Sequence, residues 1–149
     1  MPGVVEIKRA VEADLEPASV LFARYREFYG QSFDLPAARS FLHERLSHDE
    51  SIVFLATLEG NYAGFAQLYP SFSSVGLKRI WILNDLFVAA DYRQKGMGEA
   101  LIKKVIAYAK EAGRSKVVLS TAYSNMNAQQ LYEKLGFVKE DFFNYEYLV

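Results

Sequence analysis

The sequence predicts a mixed α/β fold: a mostly antiparallel sheet with a parallel strand pair inside it and about four helices on its faces. Three observations lead there. Helical apolar patterns interleave with apolar strands along the chain. Ile52 to Leu58 and Tyr62 to Tyr69 face each other across Glu59-Gly60-Asn61 as a hairpin. Lys78 to Val88, an amphipathic helix and a second short apolar strand then follow in the order of a parallel crossover.

Each element has its own signal. Val5-Glu6-Ile7-Lys8-Arg9 alternates and predicts a first strand. A helix should begin near Glu12 or Asp14, because Val20, Leu21, Arg24, Tyr25 and Phe28 recur at helical spacing; Gly30 is its stop. Pro36 suits the first turn of a second helix carrying Ala37, Phe41, Leu42 and Leu46. Pro70 to Gly76 reads as a serine-rich loop after the hairpin. Met97 to Ala112 keeps a helical rhythm through Met97, Leu101, Val105 and Tyr108, and Ile102, Ile106 and Ala109 widen the stripe. Gly113 ends that helix, and Lys116 to Ser120 is a short buried strand. Asn125 or Asn127 caps a last helix that stops at Gly136. Phe137 to Glu140 and Phe142 to Leu148 predict two closing strands. With no repeat, low-complexity tract or linker, residues 1–149 are expected to form one domain.

Composition narrows the function classes. Hydrophobic residues make up 51% and charged residues 23%, as in an ordinary soluble globule. A net charge of −1 gives no field that would draw the chain to nucleic acid or to a membrane surface. The absence of cysteine removes disulfides, thiolate catalysis and cysteine-ligated zinc. His43 and His48 lie five apart and do not share a helix face, so no metal site is expected. The N-terminus lacks the basic start and apolar run of a signal peptide, and no segment nears the ~20 apolar residues of a membrane helix. A cytoplasmic protein is the expectation.

The most telling stretch is Arg93-Gln94-Lys95-Gly96-Met97-Gly98, set between the long strand and its helix. The first amides of a helix lack intrahelical acceptors and sit at the positive end of its dipole. Gly96 and Gly98 let the backbone curl and an anion approach, while Arg93 and Lys95 add charge. The order therefore builds a cradle for a pyrophosphate on a nucleotide-like cofactor. It is not a P-loop, because Glu99 follows Gly98 where Ser or Thr would bind magnesium. Nor is it a dinucleotide fingerprint: Arg93 replaces the first glycine, and the next strand ends at Leu119-Ser120 without the acidic residue.

This Arg-Gln-x-Gly-x-Gly run resembles the signature of the GNAT superfamily of acyl-CoA-dependent N-acyltransferases. Ser124 to Phe137 is similar to the superfamily's second signature, Asn-x-x-Ala-x-x-(Leu/Phe)-Tyr-x-x-x-Gly-Phe. The likeness covers nearly the whole chain and is strongest from Trp81 to Phe137. It implies the GNAT fold, with a parallel strand pair that splays to admit the pantetheine arm, and acetyl-CoA as cofactor. It implies that Leu86, Phe87 and Val88 pair with that arm, and that the Phe87 or Val88 amide polarises the thioester carbonyl. The loop from Arg93 through Gln94, Lys95, Gly96, Met97, Gly98 and Glu99 would hold the pyrophosphate. Asn125 and Ala128 would contact the cofactor, and Tyr132 would bind it and protonate the departing thiolate. Asn125 also reads as a helix cap, and Tyr132 as a packing aromatic.

The general base is less well marked. Leu83-Asn84-Asp85-Leu86-Phe87-Val88 is similar to a strand of the spermidine/spermine N-acetyltransferases, in which a glutamate stands where this chain has Asn84. Asp85 remains, as base through a water or as anchor for an ammonium. Neighbouring strand residues face opposite ways, so Asn84 and Asp85 share a cleft only across a bulge. Tyr25 to Phe33, with Trp81 to Val88, is similar to the fungal histone/polyamine acetyltransferase branch. Glu27, Tyr29, Asn84 and Asp85 are the expected acceptor-binding residues, since aromatic faces and carboxylates suit cationic amines. The expected reaction is acetyl transfer to a primary amine by direct attack in a ternary complex: a polyamine, an amino acid derivative or a protein lysine. A non-catalytic acyl-CoA-binding module is the alternative. A nucleic-acid module using Arg93, Lys95, Lys103 and Lys104 is disfavoured by the charge balance. The resemblance also implies a homodimer, compatible with Tyr145 and Tyr147 near the C-terminus.

Overall fold

Five strands pair in sequence order into one sheet, β1-β2-β3-β4-β5, in a computed structural model that describes residues 3–149. The strands are β1 (Val5–Arg9), β2 (Ile52–Leu58), β3 (Asn61–Ser73), β4 (Lys78–Val88) and β5 (Val117–Val118). All neighbours run antiparallel except β4 and β5, which are parallel. The helices are α1 (Leu15–Phe28), α2 (Leu35–Ser47), α3 (Met97–Glu111) and α4 (Met126–Lys134). The described chain divides into a larger unit ending at Leu119 and a smaller one over Ser120–Val149.

In the larger unit, helices cover both faces of the sheet. Met97, Leu101, Val105 and Ala109 of α3 pack on Phe54, Ala56, Ala66, Leu68, Trp81 and Leu83. Ala18, Leu21 and Phe22 of α1, with Ala38 and Leu42 of α2, pack on Val53, Leu55, Phe65 and Phe87. Because β2 lies between the two layers, its residues from Ile52 to Thr57 are all buried, which explains an unbroken apolar run instead of alternation. Asp14 ties β1 to α1: its carboxylate accepts from Lys8 Nζ at 2.7 Å and from the Val11 amide at 2.9 Å. Asp34 caps α2 by accepting from the Ala37 amide, and Pro36 sits in the first turn as expected.

Two expectations are corrected. The stretch read as a loop from Pro70 is strand: β3 runs through Pro70 to Ser73, with Pro70 opposite Trp81. Beyond Leu68 the pairing with β2 has ended, so one edge of β3 is free and a residue without an amide proton fits there. The two closing strands are also not found. In the smaller unit, residues 137–149 have no ladder partner, and Phe142, Tyr145 and Tyr147 are exposed. Alternating side chains suit a strand, but a strand also needs a neighbour, and local sequence does not specify one. The smaller unit is otherwise built on α4, capped by Asn125 Oδ1 accepting from the Ala128 amide at 3.3 Å and ending at Gly136.

β3 approaches β4 closely at Gly64, where an added Cβ would lie 2.5 Å from the Phe87 carbonyl oxygen. Gly64→Ala should therefore push the end of β4 outward and destabilise the protein by about 1–3 kcal/mol. Denaturant unfolding checks this, and an unchanged midpoint would show that β4 yields freely there.

Candidate active site

After β4 the chain makes a short 3-10 turn over Ala90–Tyr92 and enters α3 through Gly96, whose φ is +81°. Gln94 is also left-handed, at φ +61°. Left-handed residues in alternation turn successive amides toward one side, the geometry of an anion nest. Among the described residues, no acceptor meets the amides of Gln94, Lys95, Gly96, Met97 or Gly98, and no side chain caps the helix. Residues 93–96 are exposed, so these donors face outward beside the positive end of α3. Lys95 holds its ammonium 5.9 Å from the Tyr92 ring. Glu99, in the first turn, places its carboxylate 4.0 Å from Lys103 Nζ. The loop fits a diphosphate by its donors, its charge and its access.

The end of β4 beside this loop is open. Its pairing with β5 is confined to Trp81↔Val117 and Ile82↔Val118. From Leu83 to Val88, β4 has no strand on that side among the described residues. The Val88 carbonyl instead accepts from Arg93 Nε at 3.0 Å. The Arg93 guanidinium lies 5.2 Å from the Phe28 ring and 6.0 Å from the Phe87 ring. Arg93 thus contributes its backbone to the loop while its side chain reaches over to α1.

The bulge that the Asn84-Asp85 pair requires is present. Pairing passes from Leu68↔Leu83 to Gln67↔Asp85, which leaves Asn84 with no residue opposite. The extra residue reverses the facing of the strand. Trp81 and Leu83 lie under α3, whereas Phe87, beyond the bulge, lies under α1 and α2. Asp85 turns inward with Phe87 and is 6% exposed. Its Oδ2 accepts from Gln67 Nε2 at 2.7 Å and its Oδ1 from Asn84 Nδ2 at 3.1 Å. Gln67 Oε1 in turn accepts from Ser51 Oγ at 2.7 Å. The Tyr25 phenol is held well above the usual tyrosine range, first by burial and then by the Asp85 charge. Tyr69 is pushed up to about 12, again by burial first and Asp85 second. Gln67 and Tyr69 in β3, and Ser51 just before β2, carry no sequence signal beyond being polar groups in or beside apolar strands.

A cleft of about 370 Å³ opens between α1 and the end of β4. Arg24, Glu27, Phe28, Phe33, Phe87 and Arg93 line it. Glu27 therefore joins Phe87 in this cleft, whereas Tyr29 is exposed and packs its ring 5.0 Å from Tyr25. In the smaller unit, Asn125 and Ala128 are partners in the α4 cap. Tyr132 is half-buried on α4 with its ring 5.7 Å from Phe137.

With this geometry in view, the comparisons with known proteins are specific. Residues 18–137 match the model of the acetyltransferase (GNAT) family. The chain belongs to that family. It is 43% identical over 136 residues to an uncharacterized N-acetyltransferase, YhfO, of Bacillus subtilis (strain 168), covering 91% of each chain. It is 31% identical over 134 residues to a probable acetyltransferase of Haemophilus influenzae, covering 89% of this chain and 90% of the other. A crystal structure of a probable acetyltransferase superposes with a TM-score of 0.90 at 39% identity, covering 97% of both chains. This GNAT protein is an enzyme, an acetyl-CoA-dependent N-acetyltransferase acting on amines. Among the described residues, no helix is long and apolar enough to cross a membrane.

The buried phenols set an alkaline limit. Their pKa values are raised in the folded state, so as pH climbs past about 10 the unfolded chain releases those protons first. Stability contributed by Tyr25 and Tyr69 is complete below pH ~10 and is lost as pH rises through their folded values. Thermal melts should fall above pH 10, and Tyr69→Phe should flatten the fall. An identical alkaline profile in the variant would show that Tyr69 ionises normally.

Proposed function

We propose that the enzyme transfers the acetyl group to a primary amine by direct attack while both substrates are bound. The observation that carries this reading is the run of unpartnered amides from Gln94 to Gly98 beside the side of β4 that β5 leaves open. Acetyl-CoA, when bound, supplies an acetyl group activated as a thioester. The loop amides, with Lys95 and the first turn of α3, hold the diphosphate. The backbone of Leu86 and Val88 receives the pantetheine arm, and the Val88 amide stabilises negative charge on the acyl oxygen, whereas the Phe87 carbonyl is turned toward β3 at Gly64. Arg93 must release the Val88 carbonyl if that oxygen is to serve the arm.

Asp85 is too enclosed to meet an amine directly, so its role is to take the amine's proton through a water. Asn84, exposed beside it, orients the acceptor and that water. Tyr132 protonates the leaving sulfur, and Asn125 and Ala128 add cofactor contacts. For these three the support is the motif resemblance. The family match spans both units, which supports one catalytic domain over the chain. The exposed aromatics Tyr145 and Tyr147 support a homodimer, and a net charge of −1 supports an enzyme without nucleic-acid partners. A polyamine, an amino acid derivative and a protein lysine all satisfy this chemistry; the polyamine choice rests on the Asn84-Asp85 and Tyr25 to Phe33 resemblance.

Thiol release from acetyl-CoA with a panel of amines tests the reading. Tyr132→Phe should slow turnover by about ten- to ten-thousand-fold, with acetyl-CoA binding retained by calorimetry. An unchanged rate would remove the phenol from the acid role. Binding without thiol release from any amine would favour the regulatory module.

A further inference from the structure

We infer that the acceptor carries a carboxylate as well as its amine, and that Arg24 recognises that carboxylate. The inference rests on the acetyltransferase reading and deepens it. Arg24, Glu27 and Phe28 follow one another at i, i+3 and i+4 on α1, so they share one face of the helix. That face is one wall of the cleft whose other wall is Phe87 and Arg93. Among the described residues, neither the Arg24 nor the Glu27 side chain has an ion-pair or hydrogen-bond partner.

The charges decide between acceptor classes. The cleft holds two guanidinium groups, Arg24 and Arg93, against one carboxylate, Glu27. A polyamine entering it would meet more positive charge than negative. A molecule with one ammonium and one carboxylate would give Glu27 and Arg24 each an opposite partner. Guanidinium presents paired donors in a fixed fork that matches a carboxylate. Arg93 is already engaged through Nε with the Val88 carbonyl and lies over two rings, so Arg24 is the uncommitted fork.

The rest of the cleft defines the body of the ligand. Phe28 and Phe33 are 62% and 49% exposed, and Phe87 forms the inner wall. Three rings around about 370 Å³ suit an aromatic or long-chain amino acid. Phe87 also belongs to the β4 segment proposed to face the thioester, so an amine held here lies beside the acyl group. The cofactor's own phosphates are a weaker match for Arg24. The diphosphate loop leads into α3 on one face of the sheet, whereas α1 covers the other.

Pairs of acceptors that differ only in the carboxylate test this: phenylalanine against phenethylamine, and lysine against cadaverine, by thiol release. The carboxylate-bearing member should have the higher kcat/KM by about tenfold or more. Arg24→Ala should reduce that ratio about tenfold and Arg24→Lys should restore part of it, with the KM for acetyl-CoA unmoved. Arg24 is exposed, so the melting temperature should not change. Equal ratios, a preference for the bare amines, or an Arg24→Ala effect confined to the KM for acetyl-CoA would each overturn the inference and leave the acetyltransferase reading standing. Thiol release with none of the four amines would overturn it too; calorimetric binding of acetyl-CoA then reports whether the cofactor part of that reading survives.

Discussion

Backbone polar groups without partners organise this protein. A folded chain satisfies nearly all its buried amides and carbonyls, because an unpaired one costs free energy on the scale of a hydrogen bond. Here two adjacent sets stay open among the described residues: the side of β4 beyond Ile82, apart from the Val88 carbonyl that Arg93 meets, and the amides running from Gln94 into α3. Residues 93–96 are exposed, so the fold tolerates open amides there. Both sets are fixed in direction by well-packed elements, so they are ordered in advance of any ligand. Much of the larger unit serves to hold these two sets in place. The apolar stripe of α3 pins the loop from one side, and Gly64 lets β3 press against the Phe87 carbonyl from the other.

The bulge at Asn84 links that backbone architecture to chemistry. One extra residue in β4 moves Phe87 from the α3 layer to the α1 layer and turns Asp85 inward. Asp85 then becomes the hub of a buried polar chain with Gln67 and Ser51, to which the exposed Asn84 donates from the rim. Such a chain resists rearrangement, since losing one member leaves the others unsatisfied in a low-dielectric setting. The acidic group beside the open strand is therefore held rigidly. It acts at one remove, and the exposed Asn84 and the cleft on α1 meet the acceptor.

The glycine loop was legible in the sequence because its conformation is local: left-handed backbone, a helix start and neighbouring basic residues all lie within a few positions. The helix ends at Gly30, Gly113 and Gly136 were legible for the same reason. The bulge could be framed only as a condition, since its occurrence depends on how β4 registers against β3. At Pro70 the sequence points to a loop, and only pairing shows that its edge of β3 is free. Phe137 to Glu140 and Phe142 to Leu148 alternate without forming strands, because alternation describes a strand's faces and says nothing of its neighbour. The reach of Arg93 to Val88 and Phe28, and the meeting of the Arg24-Glu27 face of α1 with Phe87, are tertiary facts that no spacing rule contains.

The central claim is that unpartnered peptide groups receive the cofactor's diphosphate. Amide-resolved nuclear magnetic resonance of labelled protein, titrated with coenzyme A and separately with pantetheine, tests it most directly. Gln94, Lys95, Gly96, Met97 and Gly98 should shift strongly with coenzyme A and hardly at all with pantetheine, which lacks the diphosphate. Saturable binding of coenzyme A that leaves those five amides unmoved would contradict the account.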